Sequence, residues 1–217
     1  MNRQYYEKVF SIQRMEKYFT KYPDDEQSAI AHYHLNIILS EGFYLTLSMF
    51  EVALRNSLNQ ELTKSFGANW YLKFESIPGL RNLKNNINTA KKQIVNRNET
   101  ITTNKIVAEL TLGFWVRLIN AEYERILWKP LRKAFPYLEK RRRQRNKVSA
   151  PINKIRNFRN RVFHHEPISW NLDKLEEIHH TILEVMHWLN ADLTAIVNSY
   201  DRIPKLLEKA KSQTLEW

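Results

Sequence analysis

Apolar residues recur three and four positions apart through most of this chain, the period of helices that bury one face. Residues 3–20 offer Tyr6, Val9, Phe10, Ile12 and Phe19 to one side of a first helix. Tyr22-Pro23-Asp24-Asp25 ends it and supplies a cap for the next. The period then runs through residues 26–65 at Leu35, Ile38, Leu39, Leu45, Met49, Val52, Leu58 and Leu62. Gly42 marks a place for a bend, and Phe66-Gly67-Ala68-Asn69 reads as a C-cap. Trp70-Tyr71-Leu72 and Pro78-Gly79 fall in a connecting region, followed by a polar helix over residues 80–97 and a Thr- and Asn-rich break over 98–104.

Helical patterns return at 105–111, 115–128 and 130–145. Ser149-Ala150-Pro151 reads as a helix start, with proline in the first turn. That helix stops before Pro167, because the residue preceding a proline resists helical geometry. Residues 171–198 form a long amphipathic helix and residues 201–211 a short terminal one. No repeat, sustained heptad series or clear linker divides the chain. The expected fold is all-α, a multi-helix bundle forming a single helical domain over residues 1–217.

Composition agrees. A chain of 217 residues can bury one sizeable core, and only four glycines argue against the many turns of an all-β fold. The absence of cysteine excludes disulfides and Cys-ligated zinc. The most apolar stretch, residues 37–54, carries Glu41 and Glu51, so it reads as a buried helix and no membrane span is expected. The opening MNRQYYEKVFSIQRMEK lacks the apolar core of a signal peptide, which leads to an expected cytoplasmic location.

Charge changes the picture more. Residues 129–165 hold thirteen Lys or Arg against one acid, Glu139, so this window accounts for the chain's formal net charge of +11. Such concentration suggests a polyanionic partner, though a pI near 9.7 suits RNA and DNA alike. Lys140, Arg141, Arg142, Arg143, Arg145 and Lys147 form the densest run, with Arg156 and Arg161 following. If the helices pack as neighbours, this run rims the site described next and attracts a nucleic-acid backbone.

The window ends in RNFRNRVFHHEPI, residues 156–168. Ile152, Ile155, Phe158 or Arg159, and Val162 supply a buried stripe. Arg156, Asn160 and His164 lie four apart on another, so Asn160 is placed to orient His164 by a side-chain hydrogen bond. Arg159 lies about 140° around a regular helix from His164. The two converge only if the helix frays before His164, or if two copies meet across a twofold axis. Histidine can move protons near neutrality, and arginine forks onto phosphate oxygens. Together they suit transesterification of RNA, with no metal and no cofactor required. The bland reading is a basic surface stretch that contains histidines. His32 and His34 point to different sides of a helix, and His179, His180 and His187 flank the core, so these read as ordinary.

Arg159-Asn160-Arg161-Val162-Phe163-His164 resembles the R-N-x-x-x-H signature of the HEPN superfamily. RNRVFHHEPI, with FEVALRNSL at 50–58, GANWY at 67–71 and LTLGFWVRL at 110–118, resembles the Abi-like (abortive infection) proteins within it, over residues 30–195. The segments 1–29 and 196–217 read as helical extensions beyond the resemblance. The resemblance implies a helical, metal-independent endoribonuclease, a toxin or phage-defence effector, with a composite site at a homodimer interface. Arg159 and His164 match its catalytic pair, and Asn160 its polar second position. His165 and Glu166 match the HHEP run. His165 is a second proton carrier or a helix cap, and Glu166 pairs with an arginine or anchors the helix end. The implied partners are an RNA substrate and a regulatory small RNA or antitoxin. Within the upstream blocks, Glu51 and Arg55 are placed to pair four apart. Trp115 and Arg117 invite base stacking, but core packing is the default reading.

Overall fold

A computed structural model describes residues 2–212, and among these every regular element is helical. The α-helices in chain order are α1 (Arg3–Phe10), α2 (Ile12–Lys21), α3 (Glu26–Phe66), α4 (Trp70–Ser76), α5 (Lys84–Asn96), α6 (Thr103–Glu109), α7 (Leu112–Arg117), α8 (Lys129–Leu131), α9 (Arg145–Phe163), α10 (Leu172–Leu189), α11 (Ala191–Asn198) and α12 (Ile203–Lys211), joined in places by short 3-10 turns and a π-helical turn over Glu124–Trp128. Met1 and residues 213–217, the outer ends of the two expected extensions, lie outside the described residues.

The 41-residue α3 is the spine. Its length and apolarity would let it cross a bilayer, but here Leu39, Phe43, Leu47, Phe50, Leu54, Leu58 and Leu62 enter the main core. They face α7, α9, α10 and α12. Gly42 does not interrupt the helix. A Cβ there would sit 2.7 Å from Leu206 Cδ1 and 2.9 Å from Ile203 Cδ1, so the glycine lets α12 pack closely. Val52, counted with the core by period, is exposed.

The single helix expected over 3–20 is two. Ser11 takes φ 77° and its hydroxyl accepts from the Arg14 amide, so a new helix is capped in mid-pattern. The break turns Val9, Phe10 and Ile12 outward. Tyr6, Met15, Tyr18 and Phe19 form a second, smaller cluster with Ala29, Ile30 and Tyr33 of α3.

Other boundaries move for identifiable reasons. Trp70, Tyr71 and Phe74 are buried on α4 rather than set in a connecting loop, and Trp70 Nε1 donates to Asn59 Oδ1 at 2.9 Å. Residues 130–145 are not one helix. Pro136 interrupts them, and the Arg143 guanidinium donates to the Leu138 and Pro136 carbonyls, each at 2.6 Å, holding a loop. The next helix starts at Arg145, so Pro151 lies inside α9 rather than at its first turn. The long helix expected over 171–198 breaks at Asn190, whose extended backbone and side chain cap α11. Trp115 is fully buried and donates to the Leu110 carbonyl at 3.1 Å, while Arg117 pairs with Glu122 at 3.2 Å, which is core packing.

Candidate active site at the end of α9

The stripe Val148, Ile152, Ile155, Phe158 and Val162 buries α9 against the core and fixes which way its last turn faces. The helix ends at Phe163, four residues before Pro167. The Glu166 amide donates to the Arg161 carbonyl at 2.9 Å and the His165 amide to the Val162 carbonyl at 3.0 Å. This pairing closes a helix through one left-handed residue, usually glycine. Here that residue is His165, at φ 55°. His164 is therefore the C-cap, off the regular helix, and both histidines are exposed.

The chain beyond is held from α3. Asn36 is buried, and its Oδ1 accepts from the Ile168 amide at 2.6 Å and the Ser169 amide at 3.2 Å. Its Nδ2 donates to the Glu166 carbonyl at 3.5 Å. Trp170 then packs between Tyr18, 5.1 Å away, and His32, 4.4 Å away. Arg161 lies 3.3 Å from Glu166 and also donates to the Pro167 carbonyl. Glu166 meets both readings, its carboxylate pairing with Arg161 and its amide closing the helix end. Arg161, expected to bind RNA, is turned onto this loop.

Two concavities flank the histidines. One, of about 240 Å³, has His164 and His165 on one wall and Ser11, Arg14 and Lys17 on the other. The second, of about 720 Å³, lies between α3 and the end of α9, with Ile37, Tyr44, Phe163 and His165 in its lining. Arg14 borders both, and its Nη1 donates to the His165 carbonyl at 2.5 Å.

Arg159 turns elsewhere. Its Nη2 lies 3.2 Å from the Glu51 carboxylate, and its guanidinium carbon sits 4.1 Å over the Phe163 ring. Glu51 thus pairs with Arg159, not with Arg55 as its spacing suggested. Arg159 Nε is buried with no hydrogen-bond partner among the described residues. Arg159 borders neither concavity that holds the histidines. No hydrogen bond joins the Asn160 side chain to His164 either. The link is backbone, from the His164 amide to the Asn160 carbonyl at 2.9 Å. Asn160 faces solvent instead.

The basic run is not at the rim of this cleft. Residues 140–147 lie at the start of α9, and 19 residues of helix put the far end roughly 27 Å away. Several of its cations are structural. Arg143 holds the 136–138 carbonyls, and Arg145 pairs with Glu124 at 2.9 Å and donates to Ser149 at 3.0 Å. Arg141 and Arg142 meet Glu139 and Glu184 at 2.7 and 3.4 Å, yet stay largely exposed, as do Lys140 and Lys147. Arg156 is half-buried beside Asn157.

Of the remaining histidines, His34 and His32 meet the Tyr6 and Tyr22 hydroxyls, each at 2.9 Å. His179 is buried with its Nε2 at 2.5 Å from Asp201. Burial alone would push the Asp201 carboxyl up, but hydrogen bonds from His179 and the Ile203 amide hold it below its usual range. Residues the sequence reading missed are Asn36, Arg14 and Lys17. Their positions depend on contacts across more than a hundred residues, and no local pattern marks them. No family model, curated protein or solved structure matches the chain.

Proposed function

We propose that this chain is a metal-independent endoribonuclease of the HEPN type, a homodimeric toxin or abortive-infection effector of a bacterial cytoplasm. The observation that carries the reading is the end of α9. His164 leaves the helix exposed beside a basic concavity, four residues after Asn160 and five after Arg159, in the order of the R-N-x-x-x-H signature. In this reading His164 takes the proton of a ribose 2′-OH, whose oxygen attacks the adjacent phosphorus. The 5′-oxygen leaves with a proton returned by an imidazole. Arginine stabilises the added phosphate charge.

The divergence of Arg159 from His164 within one chain supports a second copy completing the pair. The side of α3 next to Arg159 suits that contact. Ile37 and Tyr44 of α3 and Phe163 of α9 are exposed, and Tyr44 stacks on Phe163 with ring centres 5.7 Å apart. Exposed apolar surface of this kind marks contact surfaces. Lys140, Arg141, Arg142 and Lys147 would hold the strand at a distance from the cut.

A second reading, a non-catalytic module that binds a regulatory RNA, is favoured by one observation: Arg159 is already engaged by Glu51.

The test incubates purified protein with end-labelled oligoribonucleotides in EDTA. The expected products carry a 2′,3′-cyclic phosphate and a 5′-OH, and His164→Ala lowers the rate by roughly 10²–10⁴-fold without weakening binding. Arg159→Ala also abolishes cleavage. Binding without cleavage in the wild type selects the second reading, and a 5′-phosphate product rules out the mechanism.

A further inference from the structure

We infer that Arg14 and Lys17, on α2, form the phosphate-binding wall of the His164 cleft. The inference rests on the RNA reading above but concerns residues outside the stretch that resembles the Abi-like proteins. The 240 Å³ concavity has room for a phosphodiester group. Its α2 wall presents Ser11, Gln13, Arg14 and Lys17, which are an alcohol, an amide and two cations. Arg14 and Lys17 are three apart, so they share a helix face.

Burial fixes that wall. Met15 and Tyr18, which flank these positions, are 0% and 1% exposed. Tyr18 in turn packs on Trp170, just beyond the histidines. Arg14 spends one donor on the His165 carbonyl. No carboxylate pairs with it or with Lys17 among the described residues, so the rest of the guanidinium fork and the ammonium are open to an anion. Glu166, the one acid among the described residues that border the concavity, is engaged by Arg161 at 3.3 Å. Arg159, by contrast, is paired with Glu51 and borders neither concavity. Within one chain the cations that line the concavity with His164 are thus Arg14 and Lys17, Arg161 being turned onto Glu166 and the Pro167 carbonyl. The α1–α2 hairpin supplies them in cis, whatever a second copy adds.

The experiment uses the full chain and a fluorescent single-stranded oligoribonucleotide, reading anisotropy across a salt series and cleavage under single turnover. Lys17 is exposed and its side chain makes no hydrogen bond or ion pair among the described residues, so Lys17→Ala tests the wall with little disturbance of the fold. Arg14→Ala is its partner, and Lys92→Ala, at an exposed position of α5, is the charge-matched control. The expected result is binding weakened about tenfold by each wall substitution, with the salt slope reduced by about one, and no change from Lys92→Ala. Wild-type affinity and cleavage in both wall variants would overturn the inference and leave the nuclease reading standing. Binding that depends on Arg14 and Lys17 without any cleavage would do the reverse. A wild type that binds no RNA overturns both.

Discussion

Arg159 on α9 and Glu51 on α3 face one another at 3.2 Å, with both side chains 27% exposed. A pair this accessible is worth about 1 kcal/mol or less, because water screens it. It holds the guanidinium in place over Phe163 and competes with any phosphate that approaches. Glu51→Gln removes the competing charge and keeps the side chain's shape. RNA affinity is expected to rise about two- to fivefold, read as Kd by anisotropy. Weaker binding would show that Glu51 positions Arg159 and does not restrain it.

His165 at φ 55° occupies a position that glycine fills at lower cost. Relief of the left-handed strain, offset by glycine's greater freedom when unfolded, leaves a gain of about 0.5–1 kcal/mol for His165→Gly. Tm is expected to rise roughly 1–4 °C. If cleavage survives, His165 only caps α9. A higher Tm with cleavage lost would assign it as a proton carrier.

Asn36 satisfies two buried amides of the loop that follows the histidines. Asn36→Ala leaves the Ile168 and Ser169 amides unpaired, at a cost of about 3 kcal/mol. The expected drop in Tm is roughly 6–12 °C, measured by thermal unfolding followed by circular dichroism. A drop below about 2 °C would mean water replaces the amide.

His32 is packed against Trp170 and Tyr22, and burial, helped by nearby Lys21, pushes its pKa down. The unfolded chain then takes up this proton first, as pH falls through about 6.5. Stability is full above that value and declines below it, until the folded protein is protonated as well. His32→Gln is expected to flatten the fall in Tm between about pH 6.5 and pH 5. An equal fall in the variant would assign the acid sensitivity to other groups.

Local pattern carried the helical class, the buried stripe Ile152, Ile155, Phe158 and Val162, the burial of Trp115, and the basic window. Each of these depends on residues within about two helical turns of one another, where side-chain spacing decides what faces the core. Pattern also located the His164 segment, since the residue types stand next to one another in the chain. It failed where a single residue outweighs the period. Ser11 capped a new helix, Pro136 broke 130–145, and Asn190 divided 171–198.

Tertiary structure alone decided the surroundings of the candidate site. Glu51 reached Arg159 across 108 positions of sequence in place of Arg55 four residues away, because α3 and α9 lie side by side. Arg14 and Lys17 came to His164 because the small cluster around Tyr18 and Tyr33 folds α2 over the end of α9. The run 140–147 stands at the opposite end from the histidines because α9 starts at Arg145 and continues for 19 residues. Sequence spacing specifies which side chains share one helix face. Which helices meet depends on how the apolar faces close together, a property of the whole core that no local spacing records.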